Sequence, residues 1–383
     1  LTVRPSSVPA NRADVIVIGG GLHGCSAALH LARRGLSVIL LEKDHVGRHA
    51  SGVNAGGVRR LGRALPEIPL STASAKIWHE IEDLVEDDCG FEASNQIKIA
   101  ETEEGLAQLR QRASDVSALG FAHEQIVDQE SLREFLPAVA PHCQGGMIVE
   151  GDGHANPPRT VQAFRRKGES LGVRFREGTS VGHVERKAGV WFIETNDGSF
   201  EAGVIVNCAG AWGGRIAEMI GEPVPIEVRA PMLMITARMP AFVAPVVGVQ
   251  GRKLSFKQFA NGTVLIGGGY EGTANPETNE TKLDRTGLAE NARNAMEVFP
   301  IMRKASVLRC WAGIEGMMPD GIPVMGPSQE EGAFHAFGFC AHGFQLGPVS
   351  GKILSDFIVD GGTNLPMSAF RIERFSEIRQ SAS

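Results

Sequence analysis

Residues 14–42 constrain the fold more than any other stretch. They read Asp14-Val-Ile-Val-Ile-Gly-Gly-Gly-Leu-His-Gly-Cys-Ser-Ala-Ala-Leu-His-Leu-Ala-Arg-Arg-Gly-Leu-Ser-Val-Ile-Leu-Leu-Glu42. Residues 15–18 form a wholly apolar, β-branched run, the mark of a parallel strand buried on both faces. The run enters Gly19-x-Gly21-x-x-Gly24 directly, with Leu22 and His23 inside the motif. Ala27, Ala28, Leu29, Leu31 and Ala32 then mark a helix that stops at Gly35, and a second apolar run, 38–41, ends at Glu42. Strand, glycine turn, helix, strand and acid stand at the spacing of a dinucleotide site. Gly19 permits the tight turn, Gly21 lets backbone approach a pyrophosphate, and Gly24 allows close helix–strand packing. The phosphates sit at the helix N-terminus, where free N–H groups and the dipole favour an anion. Glu42 accepts the ribose hydroxyls.

Length and composition narrow the class. The 383 residues can hold two domains, each with its own core. A hydrophobic share of 43%, a charged share of 21% and a mean hydropathy near zero match a globular protein in water. The net charge of −6, with no basic block, argues against a nucleic-acid partner. No apolar run reaches about 18 residues, so no membrane span is expected. Residues 1–12 lack an apolar core and read as a disordered lead-in rather than a signal peptide. Cys25, Cys89, Cys143, Cys208, Cys310 and Cys340 are scattered without a CxxC. That argues against a metal cluster and for reduced thiols in a cytoplasm.

Past Glu42 comes Lys43-Asp-His-Val-Gly-Arg48-His49-Ala50-Ser51-Gly-Val-Asn54-Ala55-Gly56-Gly57-Val-Arg59-Arg60-Leu-Gly-Arg63. This loop and helix start can lie under a nucleotide cofactor, with an arginine reaching towards a substrate anion; the bland alternative is a solvated basic loop. Its place straight after the second strand favours function. Residues 68–85 and 104–119 read as amphipathic helices, 96–100 as a strand and 131–136 as a short helix closed by Pro137 and Pro141. His154 lies in a Gly/Pro turn ahead of a capped helix running to Ser170, where exposure is a commoner fate than catalysis. Residues 173–175 and 180–185 read as strands. Asn196-Asp-Gly198 marks a hairpin, and residues 204–208 a buried strand. Residues 232–236, 253–259 and 263–270 suggest an antiparallel sheet. Gly267-x-Gly269-x-x-Gly272 repeats the glycine spacing, but no apolar helix follows, so it is not a second nucleotide site.

The chain closes with Arg309-Cys310-Trp311-Ala-Gly313-Ile-Glu315-Gly-Met-Met-Pro-Asp320-Gly-Ile-Pro and Ala336-Phe-Gly-Phe-Cys-Ala-His342-Gly343-Phe344-Gln345-Leu-Gly-Pro348. With the opening strand–helix–strand unit and the Ser51–Arg59 loop, these motifs resemble the D-amino-acid oxidase family of flavoproteins. That family includes glycine oxidase, the sarcosine oxidases and the flavin subunits of opine and D-hydroxyproline dehydrogenases. The likeness spans about residues 13–360.

The resemblance implies an α/β fold: a Rossmann-like, glutathione-reductase-type FAD domain built from discontinuous segments, plus an α+β substrate domain with an antiparallel sheet. The expected FAD domain covers 13–91, 146–225 and 310–365; the substrate domain covers 92–145 and 226–309. It implies FAD, bound by Gly19, Gly21, Leu22, His23, Gly24, Glu42 and Lys43. Arg48, His49, Ala50, Ser51, Asn54, Ala55, Gly56 and Gly57 join from the loop, and Val184, Cys208, Ala209, Gly210 and Trp212 from the adenosine half. Gly313, His342, Gly343, Phe344 and Gln345 close the site, with a helix N-terminus placed to stabilise the reduced ring. Cys310 stands near where some relatives attach the flavin covalently, although non-covalent binding is the expectation.

One position departs from the pattern. Glycine-oxidase-like relatives place a carboxylate-binding arginine two residues after Trp-Ala-Gly, and here that residue is Glu315. The cation must come from Arg59, Arg60, Arg63 or Lys257. Glu315 is left to meet a substrate amine or hydroxyl, or to pair with an arginine. The resemblance puts Lys257 and Gln258 near the substrate face of the flavin, and as strand neighbours one of them should point inward. Tyr270, the single tyrosine, either covers the substrate or ends a strand at the surface. His342 completes the candidate catalytic set. The expected reaction is hydride transfer from Cα of an amino or imino acid to flavin N5, with a cyclic imino acid such as cis-4-hydroxy-D-proline favoured. Reoxidation goes to dioxygen or to a respiratory acceptor, partner subunits are an option, and the expected location is cytoplasmic or peripheral at the inner membrane.

Overall fold

The computed structural model describes residues 10–376. The expected lead-in therefore falls largely outside the described residues, and Arg12 already belongs to the first strand. Strand Arg12–Ile18 runs parallel between Val38–Leu41 and Gly198–Asn207. Arg174–Arg176 extends this sheet on one side, and Ala333–Phe337 followed by Val324–Pro327 on the other. Val38–Leu41 is buried at every position, as its unbroken apolar sequence requires of a strand covered on both faces. The expected hairpin strand and the buried strand after it are one element, Gly198–Asn207. Its first half pairs antiparallel with Val190–Thr195 and its second half parallel with Arg12–Ile18.

Helix Leu22–Arg33 packs beneath the sheet against Gly343–Asp360. The approach depends on missing side chains: a Cβ on Gly347 would come within 2.3 Å of Leu22, and one on Gly351 within 2.3 Å of Ser26. The helix expected over 68–85 breaks at Glu80, whose backbone (φ −114°, ψ 23°) leaves helical geometry, giving Ile68–His79 and Ile81–Val85.

The second sheet has eleven strands and is antiparallel except where Val246–Val249 runs beside Gln96–Ala100. At its centre are Glu227–Thr236, Val264–Gly267 and Arg252–Gln258. Helix Arg285–Val298 covers one face, over a core in which the Phe256 and Phe299 rings stack 4.9 Å apart. Residues 146–149, 310–312 and 315–317, expected in the FAD domain, pair in this sheet: Gly145–Val149 bonds to Gln96–Ala100, and Val307–Ala312 and Glu315–Met317 bond to Glu227–Thr236. Burial explains the first case, since Ile148 sits in the second core. The other face of the second sheet turns towards the glycine turn of the first domain.

Candidate active site

A cavity of about 800 Å³ lies where the two sheets meet, within the range of cofactor sites. The glycine turn forms one wall. Gly19 takes φ +108°, which L side chains rarely adopt, and a Cβ on Gly24 would lie 1.9 Å from the Gly19 carbonyl oxygen. Gly24 thus sits behind the wall and serves packing, while Gly19, Gly21, Leu22 and His23 line the cavity. Glu42, also lining, accepts the Gly20 N–H at 2.7 Å and the Asp44 N–H at 2.8 Å. Burial raises its carboxyl above the usual range, and those two backbone donors pull the other way.

The loop after Glu42 forms the next wall. Lys43, Arg48, His49, Ala50, Ser51, Asn54, Ala55, Gly56 and Gly57 all line the cavity. Ser51 Oγ accepts the Leu22 N–H at 2.9 Å, and Asn54 Oδ1 accepts that of Gly56, fixing the loop to the helix and to itself. Cys208, Ala209, Gly210 and Trp212 line one end of the cavity. Trp212 donates to the Pro276 carbonyl and Lys43 bonds Asn279, so a hairpin of the second sheet closes over that end. At the opposite end stand Gly313, Glu315, Gly343 and Phe344, with Trp311 donating to the Val53 carbonyl at 2.8 Å.

Several expected residues stand elsewhere. Val184 is packed in the first domain's core; Thr179, Ser180 and Val181, at the start of its strand, take the wall, with Val181 resting against the same core. Gln345 is fully buried, its amide donating to the Ser71 carbonyl and its Oε1 accepting from Arg63. His342 pairs through Nδ1 with Glu67 at 3.1 Å, off the wall; burial lowers it to about 4, so the neutral ring donates to the carboxylate. Arg60 is held by Asp152 and the Glu150 carbonyl. Gln258 ties down the 239–242 loop. Tyr270 turns to Asn294 and beneath the Lys253 ammonium. Cys310 packs against the second core, away from the cavity. His154 is buried rather than exposed.

Sequence reasoning missed Gln96, Pro231, Met232, Leu233, Val246, Ser255 and Glu271, all on the wall. Ser255 was within reach, since it shares a strand face with Lys257. Nothing local distinguishes 231–233.

Charges of both signs meet here. Arg59 and Arg63 line the cavity. So do Glu315 and Glu271. Burial lifts Glu315 to about 7, against the pull of an Ala341 N–H that it accepts at 2.7 Å. Ala341 and Cys340 before it both hold positive φ, a strained turn of the kind that gathers at functional sites. A dinucleotide fits this wall. Backbone is bare at both ends: a Cβ on Gly21 would meet Ser51 Oγ at 2.9 Å, one on Gly313 would meet Val53 at 2.7 Å, and one on Gly343 would meet His23 Nε2 at 2.8 Å.

Residues 14–357 match the family model DAO, FAD dependent oxidoreductase, and the chain belongs to that family. Glycine oxidase of Geobacillus kaustophilus is 26% identical over 373 residues, covering 95% of this chain and 97% of the relative. A subunit of the opine oxidase of Rhizobium meliloti is 27% identical over 375 residues, covering 94% and 97%. Mitochondrial dimethylglycine dehydrogenase of Rattus norvegicus is 28% identical over 93% of this chain, which spans only 44% of that relative. The crystal structures of glycine oxidase from Geobacillus kaustophilus (TM-score 0.87, 95% of this chain and 99% of that one) and of L-proline dehydrogenase from P. horikoshii (TM-score 0.88, 96% and 98%) share the fold at 24% identity. FAD is the cofactor.

Proposed function

We propose that the chain oxidises the C–N bond of an amino or imino acid at the carbon next to its carboxylate. The observation that carries this reading is that acidic and basic side chains, Glu315 and Glu271, Arg59 and Arg63, line the same cavity. A zwitterionic amino acid presents the same two charges. FAD supplies the oxidising chemistry when bound, accepting the hydride that leaves Cα. The chain's own part is to bind, orient and desolvate the substrate. Glu315, ionised above about pH 7, faces the nitrogen and takes its proton, because a neutral amine releases a hydride where an ammonium does not.

Within this class we favour a cyclic D-imino acid such as cis-4-hydroxy-D-proline. The Trp311-Ala-Gly-Ile-Glu315 sequence and the Ser51–Arg59 loop support it. Its test is a screen of the purified protein with an artificial electron-accepting dye against D- and L-proline, cis-4-hydroxy-D-proline, sarcosine, glycine and opines. The hydroxy-D-proline should rank first; a linear amino acid ranking first refutes the cyclic assignment.

A second reading makes the chain the flavin-carrying component of a larger oxidase. The likeness to a subunit of opine oxidase favours it, and so does the exposure of Leu308 (68%) on the strand Val307–Ala312. Turnover by the purified chain alone argues against it.

A further inference from the structure

Four cations stand where one could meet a substrate carboxylate, and their hydrogen bonds separate them. Arg60 is engaged by Asp152 and by the Glu150 carbonyl. Arg63 donates from all three nitrogens, to the Arg59 carbonyl at 2.9 Å, the His342 carbonyl at 3.0 Å and Gln345 Oε1 at 3.3 Å. Arg59 is anchored on the Leu61 carbonyl. Lys257 differs. It is 3% exposed, and its Nζ has no hydrogen-bond partner among the described residues.

The location of Lys257 gives this meaning. On strand Arg252–Gln258 it shares a face with Ser255, while Phe256 and Gln258 point the other way. It lines a chamber of about 20 Å³ together with Ala55, Gly57, Val246 and Ser255, and those four residues also line the main cavity. That volume exceeds the roughly 10–15 Å³ needed for one water-sized group, so it has room for a carboxylate oxygen. The charged and titratable neighbours are few. Glu92 attracts the ammonium weakly, and His154, held neutral at about 3 by burial and by Lys257 itself, does not repel it. The Phe259 ring lies 4.7 Å from Nζ and offers its face, a partial substitute for water. A buried ammonium with only an aromatic face for company lacks the hydrogen-bonded anion that buried charges require.

We propose that Lys257 receives the carboxylate of the substrate, seating one of its oxygens in the chamber between Ser255 and the Ala55–Gly57 loop. Lys257 then takes over the role that the arginine replaced by Glu315 has in glycine-oxidase-like relatives, from a different strand. This rests on the reading of the main cavity as an amino- or imino-acid site. No bond is made or broken in the step; an ammonium and a carboxylate form a charge-assisted hydrogen bond. Because burial pulls Lys257 down to about 7, carboxylate affinity falls above that pH; Glu315 ionises in the same range and adds to the fall, so the pH profile is read in a Glu315→Gln background.

The test uses the FAD-loaded protein and two probes that divide the features of proline: cyclopentanecarboxylate, which lacks the amine, and pyrrolidine, which lacks the carboxylate. Binding is read by calorimetry and by perturbation of the flavin spectrum, from about pH 6 to 9. Lys257→Met should weaken cyclopentanecarboxylate binding at least tenfold and leave pyrrolidine binding unchanged. Lys257→Arg should keep the carboxylate affinity and, in the Glu315→Gln background, lose its fall above pH 7. Undiminished carboxylate binding by Lys257→Met, or a flat wild-type profile, overturns the proposal. Should neither variant retain flavin, the profile of Glu315→Gln decides alone: a fall above pH 7 that persists there supports Lys257, and a flat one overturns the proposal. Carboxylate binding as expected with no amino acid oxidised refutes the functional reading and leaves the subsite standing; oxidation with normal carboxylate binding by Lys257→Met does the reverse.

Discussion

Glu42 Oε2 accepts the backbone N–H of Gly20 at 2.7 Å, so the acid that ends the second strand is fastened to the centre of the glycine turn. The carboxylate fixes the turn as well as lining the cavity. Replacing it removes both contributions. Glu42→Ala should therefore weaken FAD binding at least tenfold, about 1.4 kcal/mol or more, in titrations of the flavin-free protein. Glu42→Gln, which keeps an acceptor oxygen, should fall between.

Gly24 and Gly35 separate lack of space from lack of conformational freedom. A Cβ on Gly24 would lie 1.9 Å from a backbone oxygen, and the rigid turn has no room to yield. One on Gly35 meets nothing within 4 Å, but the residue sits at φ +85°. Gly24→Ala should cost about 3 kcal/mol or more and release flavin, whereas Gly35→Ala should cost about 1–2 kcal/mol and keep it. Thermal melts with flavin content read both.

Local chemistry made the first half of the site legible. Residues 15–24 and Glu42 carry strand, turn, helix and acid within one short segment, and their roles need no distant partner. The Ser51–Gly57 loop was legible from its position alone. What failed depended on register or on long-range pairing. Val184 and Val181 look alike in sequence and touch the same core, and only the fold shows that Val181, at the strand's start, also reaches the cavity. Arg60 and Arg63 differ only through Asp152 and Gln345, 92 and 282 residues away. Residues 310–317 follow the glycine-rich family pattern yet join the second sheet, because their hydrogen bonds go to Glu227–Thr236.

Glu315 links pH to stability. Its folded pKa, about 7, lies above the ordinary 4.5, so the folded chain holds this proton more tightly than the unfolded one. Both states are protonated at low pH, and stability falls as pH rises from about 4.5 through 7. Glu315→Gln removes this loss. Between pH 5 and 8 the variant should lose about 1–3 kcal/mol less stability than the wild type in denaturant titrations. Its rate of flavin reduction should also lose the rise with pH that deprotonation of Glu315 produces.

Cys310 stands off the cavity wall, and burial raises its thiol above the ordinary value. The flavin should therefore be released by acid precipitation from the wild type and from Cys310→Ser alike. Yellow colour retained in the wild-type pellet and lost from that of the variant contradicts this.

The most direct test of C–N oxidation is anaerobic mixing of the FAD-loaded protein with excess cis-4-hydroxy-D-proline, D-proline or an opine, following the flavin absorbance near 450 nm. At least one of these imino or amino acids should bleach the flavin fully within seconds, with one equivalent of imine formed and no bleaching by 2-hydroxy acids of the same shape. Flavin that stays oxidised with every amine, or that is bleached by NADPH or by the hydroxy acids instead, contradicts C–N oxidation as the activity of this chain.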